Sequence, residues 1–215
     1  MTELVRWGQP GVLDRVAAAL RQGEVVVIPT DTVYGVAVDP FVPGAAARLF
    51  AAKQRPADVA LPVLVDGLDQ AWSLVDEARV TAPTRRLMER CWPGPLTVVL
   101  PRRAGLALDL GGDETTVGLR WPDHDVPRGL CLVTGPLATT SANLHGQPTA
   151  PTAAEVAARL GDAVALVVDG GRCEGAPSTV VDATGPEPRL LRTGRLPWEQ
   201  VEAAAQPSGV HEGDQ

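Results

Sequence analysis

Three cysteines and three histidines make up the chain's thin stock of soft metal ligands. Cys91, Cys131 and Cys173 lie far apart with no C-x-x-C pair, so neither a zinc knuckle nor a disulfide framework is encoded. His124, His145 and His211 form no H-E-x-x-H helix, which removes the zinc hydrolases and leaves no metal-ligand residues to name. Long hydrophobic runs are missing as well. The longest aliphatic stretches, residues 25–28, 61–65 and 164–168, are strand-sized rather than membrane-sized. Residues 1–21 lack the apolar core of an export signal, so a cytoplasmic protein without membrane contact is expected. Lysine is nearly absent: of 19 basic residues all but Lys53 are arginine. Because Lys53 follows Ala51-Ala52, no Walker A loop exists, and no G-x-G-x-x-G or G-x-S-x-G occurs either. A magnesium ion riding on a substrate phosphate would leave no such signature. The net charge of -7 argues against a chain whose main task is holding nucleic acid, although a local basic groove is compatible with it.

The residues present describe a folded body. Length (215 residues), 45% hydrophobic and 21% charged content suit one globular domain, and 22 Gly with 20 Pro call for many turns. Val12, Leu13, Val16, Ala17 and Leu20 recur at helical spacing, with Gly23 to close the helix. Residues 24–28 and 33–38 read as strands around a Thr/Asp-rich turn. Residues 45–53 read as a helix that must stop before Pro56, since the residue preceding proline avoids helical geometry. Further strands are predicted at 61–65, 97–100, 116–121, 137–140, 163–168, 179–181 and 189–191. Helices are predicted at 69–76 and 82–91, and a capping box at Thr152 and Glu155 opens one through Val156 and Leu160. This alternation predicts an α/β domain with a largely covered sheet, over residues 1–205, followed by a polar tail at 206–215.

Hydroxyls and cations gather in the predicted loops. Thr30 and Thr32 flank Asp31, so in extended backbone both face one way and could line a pocket; equally, their hydroxyls could serve only their own turn. Lys53 and Arg55 leave a helix together and can converge on a polyanion, or form a solvated basic helix end. Ser141 and Asn143 follow a buried strand, where short side chains admit a phosphate or simply make a turn. Arg120, inside the apolar run Val117-Gly118-Leu119-Arg120-Trp121, requires an acid partner or a ligand carboxylate if buried, and nothing if its strand is an edge. Arg192 precedes Thr193-Gly194. Trp92 and Trp121 read as core rather than as base-stacking platforms.

Taken in order, Pro29-Thr30-Asp31-Thr32-Val33-Tyr34-Gly35, Lys53-Gln54-Arg55-Pro56, Trp92-Pro93-Gly94-Pro95-Leu96-Thr97, Ser141-Ala142-Asn143, Ser178-Thr179-Val180-Val181-Asp182 and Arg192-Thr193-Gly194 resemble the hallmarks of the YrdC-like L-threonylcarbamoyladenylate synthase family. The resemblance runs from about Gly23 to about Val201. It implies a single-domain open, twisted mixed sheet with helices and a concave ligand pocket. It also implies that L-threonine, bicarbonate and ATP, with Mg²⁺, become threonylcarbamoyl-AMP and pyrophosphate for tRNA modification. By the same resemblance Thr32, Arg120, Ser178 and the backbone at Thr139 hold threonine, while Lys53, Arg55, Thr116, Ser141, Asn143, Thr149 and Arg192 hold ATP, with Lys53 and Arg55 catalytic. Further implied partners are a tRNA threonylcarbamoyltransferase complex and a weak tRNA contact. Discrimination against serine then rests on one methyl group, a contact of about 1–3 kcal/mol.

The chain also departs from the family pattern. Val59 and Leu64 stand where longer members carry polar residues, His145 replaces a serine, Thr139 replaces a small residue, and the extra C-terminal domain of the longer members does not follow. A noncatalytic RNA- or nucleotide-binding paralogue of the same fold is the alternative reading.

Overall fold

A computed structural model describes residues 2–54, 56, 59–144 and 146–207. Its elements run β1 (Glu3–Arg6), α1 (Val12–Arg21), β2 (Val26–Ile28), β3 (Gly35–Val38), α2 (Ala45–Lys53), β4 (Val63–Leu64), α3 (Leu68–Leu74), α4 (Ala82–Cys91), β5 (Leu96–Pro101), β6 (Thr116–Arg120), α5 (Asp125–Thr134), β7 (Leu137–Ser141), α6 (Ala153–Leu160), β8 (Leu166–Asp169), β9 (Thr179–Asp182), β10 (Arg189–Arg192) and α7 (Trp198–Ala205). The strands form one open sheet in the order β1-β8-β2-β3-β7-β4-β6-β5-β9-β10. It is mixed: β1, β8 and β2 run parallel, as do the pairs β4/β6 and β5/β9, while the remaining neighbours are antiparallel.

Strand alternation divides the core between the two faces. Val25 and Val27, Val36 and Val38, Val63, Leu96, Val98 and Leu100, and Val117 and Leu119 join α2, α3, α4, α6 and α7 in one cluster. Val26, Ile28, Ala37, Leu64 and Leu137 point the other way, where α1 and α5 cover them. Helices thus cover one face along its length, but only the β1–β7 end of the second. Beyond that end, the outward positions of β4, β5, β6, β7 and β9 form the floor of an uncovered hollow.

Several elements differ from the sequence-based expectation. The strand predicted at 33–38 begins only at Gly35, because Val33 is held in a turn by the Thr30 hydroxyl, which accepts from Val33 N (3.2 Å) and donates to Val33 O (2.7 Å). Of 61–65 only Val63 and Leu64 pair as a strand. Gly161–Ala163 forms a 3-10 turn, so the strand predicted from 163 runs instead from Leu166 to Asp169. β1, α5 and α7 were not anticipated. Helix α5 carries Pro127 in its first turn, where proline is tolerated, and its N-terminus is capped by His124 Nδ1 accepting from Val126 N (3.1 Å). Helix α7 is fastened by α4: Arg86 Nε donates to Ala205 O (2.9 Å), and Arg90 Nη1 donates to Ala204 O (3.0 Å) and Gln206 O (2.8 Å). Those carbonyls end a helix and have no partner within it. Beyond Pro207 the expected tail lies outside the described residues.

Candidate active site

The hollow is a cleft of about 680 Å³. Strand periodicity explains its lining. On β6, Val117 and Leu119 enter the core, so Thr116, Gly118 and Arg120 face the cleft; on β5, Thr97 and Val99 do the same. Gly118 leaves room: the nearest atoms to a Cβ there would be Thr97 Cγ2 at 3.6 Å, Pro62 Cβ at 3.7 Å and Pro62 Cα at 3.8 Å, which is ordinary contact. The opposite wall comes from Thr30, Thr32 and Gly35, the outer wall from Val180, Leu191 and Arg192. Leu64 is buried and Val59 is 56% exposed, and both line the cleft, giving it apolar wall at these two positions.

At one side Arg120 is 6% exposed. Its strand lies between β4 and β5, so the edge-strand reading fails and the guanidinium must be compensated. Nη2 pairs with Asp31 Oδ1 at 2.5 Å, Nη1 donates to Thr32 Oγ1 at 2.9 Å, and Nε donates to Gly94 O at 3.1 Å. Burial draws the Arg120 pKa down, Asp31 works against that, and the charges of Arg192 and Arg195 add to the lowering; the group stays cationic throughout the physiological range. Both readings of the Thr30/Thr32 pair are realised. Thr30 closes its own turn, accepting from Thr32 N (3.1 Å) as well as Val33 N, and Thr32 turns to Arg120.

Beside this lies a chain of hydroxyls. Ser178 Oγ and Thr97 Oγ1 are 2.8 Å apart, and Arg192 Nη2 donates to Ser178 Oγ (3.2 Å) and Ser178 O (2.9 Å). Arg192 reaches them because β10 returns tightly at Gly194, where a Cβ would overlap the backbone of Pro177, Ser178 and Thr179. Thr139 lines the same region with its amide committed to Pro62 O (2.8 Å).

At the other side α2 ends at Lys53, and Gln54 adopts left-handed geometry (φ 51°). That ending directs Lys53, 3% exposed, onto the loop after β7. Its Nζ donates to Ser141 O, to Ser141 Oγ (3.4 Å) and to Asn143 Oδ1 (3.3 Å). Ser141 Oγ donates to Asn143 Oδ1 (2.5 Å), and Asn143 Nδ2 donates to Gln147 O (2.6 Å). The lysine is therefore no solvated helix end, and the turn it braces lines the cleft together with Thr149 and Thr116. Arg55 lies outside the described residues. The structure thus collects Thr32, Thr116, Arg120, Thr139, Ser141, Asn143, Thr149, Ser178 and Arg192 on one cleft, with Lys53 directly behind the Ser141 loop.

Asp31 and Thr97 lie in segments the sequence singles out but with no role assigned to them, and Asp113 lies in none. Asp113 is the one carboxylate among the described cleft-lining residues. Its pKa is lowered by hydrogen bonds from the Thr115 hydroxyl and amide.

A family model for Sua5, YciO and YrdC, described as "Telomere recombination", matches residues 18–194. The chain belongs to the Sua5/YciO/YrdC family. Among relatives, a threonylcarbamoyl-AMP synthase of Vibrio cholerae is 39% identical over 185 residues, 85% of this chain and 97% of that one. The structure of Pyrococcus abyssi Sua5 complexed with L-threonine superposes with a TM-score of 0.86 at 34% identity, covering 95% of this chain and 60% of that one. Escherichia coli YciO gives a TM-score of 0.80 at 26% identity, over 91% and 97% of the two chains. The chain matches nearly all of the Vibrio protein and 60% of the Pyrococcus one. Among the described residues no helix is long and apolar enough to cross a membrane.

Proposed function

We infer that this chain is a threonylcarbamoyl-AMP synthase, converting L-threonine, bicarbonate and ATP into threonylcarbamoyl-AMP and pyrophosphate in the cytoplasm, as the activated donor for tRNA modification. The observation that carries this reading is the cleft itself, which sets a buried, carboxylate-matched arginine, Arg120, against a lysine-braced hydroxyl and amide loop, Lys53-Ser141-Asn143. Two relatives support it: the Vibrio protein is named for this activity, and the Pyrococcus Sua5 structure is a complex with L-threonine.

In this account threonine lies over Gly118 with its carboxylate on Arg120, its hydroxyl near Thr32 or Ser178, and its methyl against the apolar wall. Condensation of its neutral amine with bicarbonate forms the N–C bond and releases water, giving N-carboxythreonine, one carbamate oxygen of which attacks the α-phosphorus of ATP. The new P–O bond forms as the bond to the bridging oxygen breaks, and pyrophosphate leaves with that electron pair. No protein nucleophile is needed, so catalysis consists of alignment and charge neutralisation. Lys53, Arg55 and Arg192 offset charge gathering on the leaving group, and Ser141, Asn143, Thr149 and Thr116 orient the nucleotide. Magnesium enters as MgATP. It would be held chiefly by the triphosphate that carries it, a usual arrangement for this ion.

Pyrophosphate release with MgATP and bicarbonate, with and without L-threonine, tests the reading. The expected result is release that requires threonine and falls at least ~100-fold in Lys53→Ala, the scale of one lost transition-state electrostatic contact. Folded wild type that releases none, yet retains tight RNA binding, would favour the noncatalytic paralogue instead.

A further inference from the structure

Asp31 does not line the cleft, yet its carboxylate touches the most buried cation that does. A guanidinium has five N–H donors. In Arg120, Nε is spent on Gly94 O, one hydrogen of Nη1 on Thr32 Oγ1 and one of Nη2 on Asp31 Oδ1. One donor therefore remains on each terminal nitrogen, the pair that grips a carboxylate in bidentate fashion. A plane fixed at three donors cannot swing, so the direction of the remaining pair is set by those three partners. Asp31 is the only charged one, and it is itself well seated. Its side chain is 13% exposed, and its backbone carbonyl accepts from Arg195 Nη1. The neighbouring charges of Arg192 and Arg195 act on Arg120. Their positive charge stands beside the Asp31–Arg120 pair, so the pairing does not leave this side of the cleft anionic.

We propose that Asp31 is the positioning residue for substrate carboxylate recognition, holding Arg120 from behind so that its two remaining N–H groups present a fixed fork to the amino acid. This rests on the function inferred above. The hydrogen bond of the Asp31 carboxylate goes to Arg120, and its charge also reaches His124 and Cys173; the nucleotide side of the cleft, around Lys53 and Ser141, is not in contact with it. Its removal therefore weakens the use of threonine while leaving that of ATP unchanged, a split that general loosening of the fold would not produce.

The test is a double-mutant cycle on the full chain, reading the KM for threonine and for ATP by pyrophosphate release, with Asp31→Ala, Asp31→Asn, Arg120→Ala and the double variant Asp31→Ala/Arg120→Ala. The expected result for Asp31→Ala is a threonine KM raised about tenfold or more, with the ATP KM within about twofold. Asp31→Asn, which keeps an oxygen acceptor without the charge, falls between it and wild type and serves as the readout if Asp31→Ala does not fold. In the Arg120→Ala background, removing Asp31 adds no further loss. An unchanged threonine KM in both Asp31 variants of an active wild type overturns the proposal, as does equal loss for both substrates or an undiminished further loss on top of Arg120→Ala. A folded wild type without threonine-dependent release overturns the functional reading itself, and this inference with it.

Discussion

At the scale of single residues, burial decides what each polar group does. Tyr34 is fully buried, and its hydroxyl donates to Gly171 O at 2.5 Å. Burial, with a smaller push from the neighbouring Cys173, raises its pKa to about 12. An unfolded chain would lose that proton near pH 10, so the folded state binds it more tightly. The resulting stability is complete below about pH 10 and is lost as pH climbs towards about 12. Denaturant unfolding across that window, compared with Tyr34→Phe, checks this: wild-type stability should fall more steeply than that of the variant, and parallel slopes would contradict it. Lys53 and Arg120 were legible in the sequence because each is a chemical anomaly, a lone lysine and an arginine in an apolar run. Asp31 was not, since its partner stands 89 positions away and only the pairing of β4 with β6 and β7 brings the two loops together. Thr97, though part of a recognised segment, had no role assigned for a similar reason: in a strand of otherwise apolar residues its hydroxyl is accounted for by Ser178, 81 positions on.

At the scale of elements, two glycines carry opposite expectations. Gly194 lets β10 return against the backbone of Pro177 to Thr179. Gly194→Ala forces that backbone apart, at a cost of about 1–3 kcal/mol, and should both lower the unfolding temperature and raise KM for either substrate by displacing Ser178 and Arg192. Gly118 faces open cleft, and Gly118→Val meets only ordinary contacts at its Cβ while gaining strand propensity. That variant should unfold at or above the wild-type temperature and yet lose most activity, because its methyl groups occupy the space assigned to threonine. A fully active Gly118→Val would misplace the amino acid. Strands and helices with clear periodicity were legible here, including α1, α2, α4, β5, β6 and β9. Those missed had signals that point elsewhere. α5 carries Pro127 and Gly129, which read as breakers until the proline is placed in the first turn, and β1 is only four residues long. α7 follows Pro197 and is tied down by arginines of α4 rather than by a motif of its own.

At the scale of the whole molecule, the uneven helical cover of the sheet creates the site. One face is closed by five helices and the other by two at one end, and the uncovered remainder receives the polar positions of β5, β6, β7 and β9 together with the loops after β2, α2 and β7. The sequence pattern made the α/β class and the ordered clusters visible. It could not supply the strand order, in which β7 inserts between β3 and β4 and joins the Thr30 turn to the Arg120 strand. On the proposed function, this cleft takes L-threonine, bicarbonate and ATP together and joins them. The most direct measurement is mass-spectrometric detection of the adenylate product formed from carbon-labelled bicarbonate, L-threonine and MgATP. Labelled threonylcarbamoyl-AMP formed by the wild type and reduced about 100-fold or more in Lys53→Ala, with a smaller yield also from Arg120→Ala at limiting threonine, is the predicted result. Folded protein that binds ATP but incorporates no label in the presence of threonine would contradict it.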